Sequence, residues 1–167
     1  MPADYDAWLA EVAPTDPRDP GVRPAGADAF LRDVFDRRGP VSREVLRTEG
    51  ERVAIQLATQ AVELVLHDLR VTTSARPTIT VLSDETGALI VTYDGSHSTP
   101  VMMSMRHPEA TCDIAAYLHS EIAEDLWTAW PACRAHSSGL HPMHADGDAF
   151  WYCRAGNHQV AAIGGLR

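Results

Sequence analysis

Two cysteine–histidine pairs near the end of the chain constrain its fold more than any other feature. His136 follows Cys133 after two residues, and His158 follows Cys153 after four. Thiolate sulfur and imidazole nitrogen are donors that a tetrahedral zinc ion prefers, and two such pairs on separate turns are typical of structural zinc sites. The spacing therefore predicts a zinc ion bound by these four side chains.

Two further histidines leave the choice of ligands open. His141 and His144 lie between the two pairs, so either can substitute for a paired histidine. Four protein ligands make a closed structural site, whereas three leave a position for a reactive water molecule. No glutamate follows Glu124, so a catalytic base would have to come from the preceding segment. A structural zinc is preferred to a catalytic one, and a metal-free fold with buried cysteines is the remaining alternative.

Apolar residues recur at the spacing of an amphipathic helix in four segments of the chain. These segments are residues 5–12, 27–38, 51–69 and 108–127. Helical character extends upstream of the third segment to about Ser42, and we expect Gly50 to break or bend it because glycine weakens a helix interior. Pro108 is favoured in the first turn of the fourth helix.

Three short runs of apolar and β-branched residues follow the third helical segment and are separated by turn signals. They lie at residues 78–82, 88–93 and 100–105. Runs of this kind predict a three-stranded antiparallel meander. Helices packed on one face of such a sheet make an α+β protein, which is the predicted class of fold.

A small β-rich unit is predicted at residues 130–167, because a Trp-Pro pair at its start ends the preceding helix. Residues up to Asp146-Gly147 are expected to form a loop and a turn. A strand at 149–152 then leads to Cys153, and a strand at 159–163 returns. This zinc-ribbon-like unit has too little core to be stable unaided, so a structural zinc would supply the missing free energy.

Three parts are predicted along the chain. Residues 1–40 form an arm with short helices, because prolines between positions 14 and 24 prevent one continuous helix. Residues 41–129 form the α+β core, and residues 130–167 form the zinc-ribbon-like unit. The helices of the arm cover either their own domain or a groove on a partner, and the arm also allows a homo-oligomer.

The tail of the chain carries four short motifs between Trp130 and Leu166. They are W-P-x-C-x-x-H, H-P-M, W-Y-C and I-G-G-L. This tail resembles the C-termini of short uncharacterised actinomycete proteins that end in a Cys/His zinc-ribbon-like segment. The resemblance covers about a fifth of the chain. It implies a ribbon-like end and brings no activity with it.

The composition narrows the class of partner. With 14 basic and 23 acidic residues, the chain has a formal net charge of −9. A phosphate backbone is bound by clustered positive charge, so nucleic-acid binding is disfavoured and a protein partner, such as a basic one, is preferred. No apolar run approaches the ~20 residues needed to cross a bilayer, so no membrane span is predicted. The first residues lack the basic and apolar regions of a signal peptide, and we expect a cytoplasmic protein.

These patterns favour a non-enzymatic protein-binding or adaptor protein with a structural zinc site, of an immunity- or inhibitor-like kind. No catalytic residue is predicted, because the chain lacks the H-E-x-x-H, G-x-S-x-G and Walker motifs. A zinc-dependent hydrolase or deaminase is one alternative. Another is a nucleic-acid-binding zinc ribbon, in which Arg134, Arg154 and Arg167 lie beside an aromatic stacking surface at residues 150–152.

Overall fold

Four helices and seven strands occur in the part of the chain that the structure, a computed structural model, describes: residues 4–12, 26–95, 101 and 103–167. The helices are α1 (Tyr5–Val12), α2 (Ala27–Arg38), α3 (Arg43–Thr72) and α4 (His107–Asp125). The strands are β1 (Ile79–Ser83), β2 (Leu89–Tyr93), β3 (Ala132–Cys133), β4 (Ser138–Gly139), β5 (His141–Ala145), β6 (Asp148–Cys153) and β7 (His158–Ala162). The predicted α+β class is confirmed.

Helices α1 and α2 form where the apolar spacing predicts them. Trp8 of α1 and both Leu31 and Val34 of α2 are buried together with Leu46 at the start of α3. The indole N–H of Trp8 donates a hydrogen bond to the carbonyl of Val41 at 2.8 Å. The apolar faces of both helices are therefore covered by the chain itself. The proline-rich stretch between them, which is part of the predicted arm, lies outside the described residues.

The helix α3 runs without interruption through Gly50, so the predicted break does not occur there. At its start, the Ser42 hydroxyl accepts a hydrogen bond from the Val45 amide at 3.4 Å. The Phe30 ring of α2 lies 3.9 Å from the position that a Cβ at Gly50 would occupy. The helix thus continues through a residue that costs roughly 1 kcal/mol in a helix interior, at a place where another helix packs beside it.

The sheet that follows α3 is a two-stranded antiparallel hairpin of β1 and β2 rather than a three-stranded meander. Val101 donates a backbone hydrogen bond to the Leu89 carbonyl at 2.9 Å, but the described residues 101 and 103–105 belong to no strand. The Ser104 amide instead donates to the Asp113 carboxylate at 2.9 Å. This side chain of α4 therefore occupies a backbone donor that a further strand would use, while residues 100 and 102 of the predicted strand lie outside the described part of the chain.

The strands of the C-terminal segment form two small antiparallel sheets, β3-β4 and β5-β6-β7. Strands β6 and β7 appear where strands were predicted before and after Cys153. The stretch before Asp146-Gly147 was predicted to be a loop, yet it contains β4 and β5. The polar sequence of β5 hides its strand character, and β5 forms because it pairs with β6 on one side and packs against α4.

One hydrophobic core extends from α3, β2 and α4 into the C-terminal segment. Trp151, Cys153 and Ile163 are buried in the same cluster as Val65 and Leu118 of the helices. The core is thus continuous across the predicted boundary at residue 130, and the division of the chain into three parts stays a prediction. Within the described residues, no helix combines the length and the apolar character needed to cross a membrane.

Candidate metal centre

The first cysteine–histidine pair lies on the hairpin of β3 and β4. Cys133 pairs with Ser138 across the hairpin, and residues 134–137 form the turn. The amides of His136 and Ser137 donate to the Cys133 carbonyl at 3.3 and 2.8 Å, and Ser137 has a positive φ of 51°. This tight turn brings His136 Nδ1 to 3.4 Å from Cys133 Sγ.

The second pair lies on the hairpin of β6 and β7. Cys153 pairs with His158 across the hairpin, and residues 154–157 form the turn. The Gly156 amide donates to Cys153 Sγ at 3.4 Å. Asn157 has a positive φ of 51°, and its side-chain oxygen accepts a hydrogen bond from the Tyr152 hydroxyl. Cys153 and His158 therefore flank this turn and lie opposite each other on adjacent strands.

The two hairpins have the same design although their ligand spacing differs in the sequence. Each begins with Cys-Arg-Ala, contains a four-residue turn that ends in a residue of positive φ, and closes five residues after the cysteine. The first hairpin uses its fourth residue, His136, whereas the second uses its sixth, His158. Gly156 and Ser138 occupy the two positions that carry no metal ligand. The unequal spacing therefore reflects two different ligand positions on equivalent turns.

The four donor atoms of the two hairpins converge on one point. Cys133, His136, Cys153 and His158 each offer one atom, and these atoms all lie within 4.8 Å of one another. Three sulfur–nitrogen distances are 3.4, 3.6 and 3.5 Å. Zinc–sulfur bonds of about 2.3 Å and zinc–nitrogen bonds of about 2.0–2.1 Å give a regular tetrahedron sulfur–nitrogen edges of about 3.5–3.6 Å. The four side chains can therefore hold a metal ion.

The environment of Cys153 favours the thiolate that a metal requires. Both cysteines of the cluster are buried, whereas His136 is exposed and His158 partly buried. The pKa of the Cys153 thiol is lowered to about 7, chiefly by its hydrogen bond with the Ser138 hydroxyl. Burial opposes this shift, and the Gly156 amide adds to it. Metal ligation by cysteine needs the deprotonated sulfur, so these contacts prepare the site.

Gly156 is needed for the position of the His136 imidazole. A Cβ at residue 156 would lie 2.1 Å from His136 Cε1 and 2.6 Å from His136 Nδ1, which is the donor atom. Such distances are far inside van der Waals contact, so the ring would have to leave the cluster. Glycine at this position of the second turn makes room for the ligand on the first.

We expect Gly156→Ala to weaken metal binding at least roughly tenfold, because displacement of one ligand loses its bond to the metal. Gly139→Ala is the matched control, since its Cβ would meet the Ala129 Cβ at an ordinary 3.5 Å. A competition titration against a chromogenic chelator measures both affinities. Equal affinities in Gly156→Ala and the parent protein would show that His136 does not bind the metal.

The two substitute histidines lie outside the cluster. The His141 ring packs against the ring of His119 on α4, with 5.8 Å between centroids. His144 is exposed on β5 and pairs with Ala149. Neither belongs to the four residues whose donor atoms converge, although His141 pairs with Tyr152, the neighbour of Cys153. The prediction that His141 or His144 replaces a paired histidine is therefore not supported by the geometry.

The aromatic surface proposed for nucleic acid is part of the core. Trp151 is fully buried and Phe150 nearly so, and Trp151 packs edge-to-face on Trp130 with 5.7 Å between centroids. A base cannot stack on rings that are covered by protein. Of the predicted stacking surface at residues 150–152, Phe150 and Trp151 are inaccessible to a base, whereas Tyr152 is partly exposed.

Asp68 was missed in the sequence, although it supports the site. This fully buried carboxylate of α3 accepts hydrogen bonds from the Trp151 indole at 2.6 Å, the Gly164 amide at 2.7 Å and the Leu166 amide at 2.8 Å. It thereby ties the strand that carries Cys153 and the returning tail to the long helix. A signal was present, because Asp68 follows Val65 by three residues on the apolar face of the helix.

Comparisons with protein-family models, with curated proteins and with solved structures found no match for this chain. Its function is therefore inferred from the geometry of the site itself. The described residues assemble two thiols and two imidazoles at tetrahedral distances, which is a site able to bind a metal ion.

Proposed function

We propose that this is a non-enzymatic protein-binding or adaptor protein whose C-terminal segment is held by a structural zinc ion. The observation that carries the proposal is the convergence of Cys133, His136, Cys153 and His158 at distances that match the edges of a zinc tetrahedron. An inhibitor or an immunity protein is a concrete form of such a function.

The chemistry of the donors supports zinc over other metals. Two sulfur and two nitrogen donors in tetrahedral array suit zinc, whereas calcium and magnesium take oxygen donors. Three cysteines free of disulfides also fit a reducing compartment, so we propose a cytoplasmic location.

The closed set of ligands supports a structural role. Four protein donors complete the shell of a tetrahedral zinc and leave no position for a reactive water molecule. Among the described residues, no carboxylate joins the cluster. A hydrolase or deaminase would need both an open position and a nearby acid or base, so the enzymatic alternative has less support.

Metal content tests the proposal directly. We expect the purified protein to carry one zinc ion per chain by mass spectrometry, and Cys133→Ser and Cys153→Ser each to lose it. Cys112→Ser is the matched control, because Cys112 is a buried free thiol on α4 outside the cluster. Parent protein without zinc, or both cluster variants with their zinc retained, would overturn the proposal.

A further inference from the structure

A groove of about 910 Å³ runs along β7, beside the proposed zinc site. We call it the β7 groove. Its walls come from the C-terminal end of α3, from residues 126 and 128–135, and from β7 with the tail that follows. Its apolar lining comprises Val71, Leu126, Trp130, Pro131, Val160 and Leu166. Val71 and Val160 keep 47% and 40% of their surface exposed, so part of this lining is open to solvent.

The charge of the β7 groove is opposite to that of the chain. Arg134 and Arg167 line it, and none of the described residues that line it is acidic. Arg134 donates a hydrogen bond to the Arg167 carbonyl at 2.8 Å, which brings this guanidinium beside the tail. With 23 acidic residues in the chain, a groove lined by arginines and by no acid has a distinct preference for negative charge.

Trp127 lies in the chain between two residues that line the groove, in the left-handed conformation that ends α4. The Trp127 and Thr128 amides donate to the Glu124 and Ala123 carbonyls at 3.2 and 3.3 Å, which closes α4 with a Schellman motif. Trp127 thus occupies the left-handed position, with φ of 50°, that usually holds glycine. Its side chain is 93% exposed, and its neighbours Leu126 and Thr128 line the groove.

An exposed tryptophan in a strained position suggests a contact with another molecule. A bulky residue in the left-handed region destabilises the free protein, and the exposed indole adds an apolar surface that water covers poorly. Tryptophan and arginine are the residues most enriched at the energetic centres of protein interfaces. Arg134 lines the β7 groove, and Trp127 lies in the chain between two residues of its lining.

We propose that the β7 groove binds an extended segment of a partner protein that combines apolar side chains with acidic groups. The apolar side chains pack on the floor and against Trp127, and the carboxylates pair with Arg134 and Arg167. This inference rests on the proposed protein-binding function and names its surface. The net charge of −9 favours a basic partner at long range, but salt screens that attraction, so the short-range charges of the groove select the segment that docks.

The zinc site and the groove share residues. Cys133 and His158 line the groove as well as belonging to the cluster. A zinc ion bound by them holds the turn that carries Arg134 against β7, so it fixes the width of the groove at this end. We therefore expect segment binding to require the loaded metal site.

A selection experiment tests the groove. Full-length zinc-loaded protein is used to select from a phage-displayed library of random dodecapeptides, and fluorescence anisotropy measures the affinity of the enriched peptides. We expect the enriched peptides to combine Asp or Glu with apolar residues. Arg134→Glu should weaken their binding at least roughly tenfold. Arg154→Glu is the matched control, because Arg154 occupies the same position of the second turn but does not line the groove, and it should change affinity less than about twofold.

The variant Trp127→Gly distinguishes an effect on peptide binding from an effect on folding. Glycine suits the left-handed position, so we expect this variant to raise the unfolding temperature by roughly a few degrees. The same variant should weaken peptide binding at least roughly tenfold, because the indole contact is lost. A gain in stability together with a loss of affinity cannot come from misfolding.

Several results would overturn the inference. They are the absence of enriched peptides, equal affinity in the parent and Arg134→Glu, tighter binding of an oligothymidylate strand than of any peptide, or a dimer in sedimentation that excludes the peptides. Zinc content is measured on the same samples. If zinc is present but no peptide binds, only the proposal for the β7 groove is overturned. If the parent protein contains no zinc, the proposed structural metal is overturned.

Discussion

Removal of zinc is expected to unfold the C-terminal segment and to abolish the cooperative thermal transition of the protein. Zinc binding to structural sites contributes on the order of 10 kcal/mol, which is comparable to the whole free energy of unfolding of a domain, about 5–15 kcal/mol. Here the site is part of the main core, because Cys153 is buried in the same cluster as Trp151 and Ile163. Loss of the metal is therefore expected to destabilise the packing of the helices as well.

Near-ultraviolet circular dichroism and thermal unfolding, each recorded before and after treatment with a zinc chelator, measure this effect. We expect the signal of the buried tryptophans Trp130 and Trp151 to collapse in the chelator. Added zinc should restore the signal, and added magnesium should not, because the donors are sulfur and nitrogen. An unfolding temperature that stays unchanged in excess chelator would contradict a structural metal.

Asp68→Ala is expected to destabilise the protein by about 3–5 kcal/mol. The substitution leaves three N–H groups without an acceptor, the buried indole of Trp151 and the partly buried amides of Gly164 and Leu166. Each unsatisfied buried donor costs about 1–3 kcal/mol, and a small cavity adds to the loss. Urea denaturation of the parent and the variant measures the difference in the free energy of unfolding.

Asp84→Ala is the matched control for this prediction. The Asp84 carboxylate also accepts backbone hydrogen bonds, from the Thr86 amide at 2.8 Å and the Ala88 amide at 3.0 Å, but it is exposed on the turn between β1 and β2. Water can replace this acceptor, so we expect a loss of only about 1 kcal/mol. If both variants lost the same free energy, burial of Asp68 would not be the source of its effect.

These two predictions concern one continuous structure. Asp68 anchors the indole of Trp151, and Trp151 lies two residues before Cys153 on the same buried face of β6. The same carboxylate accepts hydrogen bonds from the tail that follows β7. His158 is the first residue of β7. The candidate metal site thus depends on a residue of the long helix, and this carboxylate holds the C-terminal segment whether or not a metal is bound.

The short helices could be predicted from the sequence with accurate bounds. The spacing of apolar residues that predicts α1 and α2 involves only residues close together in the chain. It can therefore be identified in the sequence whatever packs against these helices. The helix break predicted at Gly50 does not occur, and the residue that packs beside Gly50 is distant in the sequence. Whether a glycine ends a helix depends on what packs on it, and here that is Phe30 of another helix.

The sheets could be predicted only in part. The hairpin of β1 and β2 and the strands β6 and β7 carry their own alternation and turn signals. Of the expected third strand at residues 100–105, the described residues 101 and 103–105 belong to no strand, and the Ser104 amide donates to the Asp113 side chain of α4. Conversely, β5 forms from a polar sequence because its partner strand and α4 are already in place.

The sequence by itself determined the two cysteines and a set of candidate histidine donors, because soft ligands at turn-length spacing are a local chemical signal that needs no knowledge of the fold. Only the tertiary structure decided that His136 and His158 meet the two cysteines while His141 and His144 lie elsewhere. The same holds for the buried carboxylate of Asp68 and the open groove beside Trp127. These features depend on segments that are distant in the chain, and their meeting is set by how the core packs.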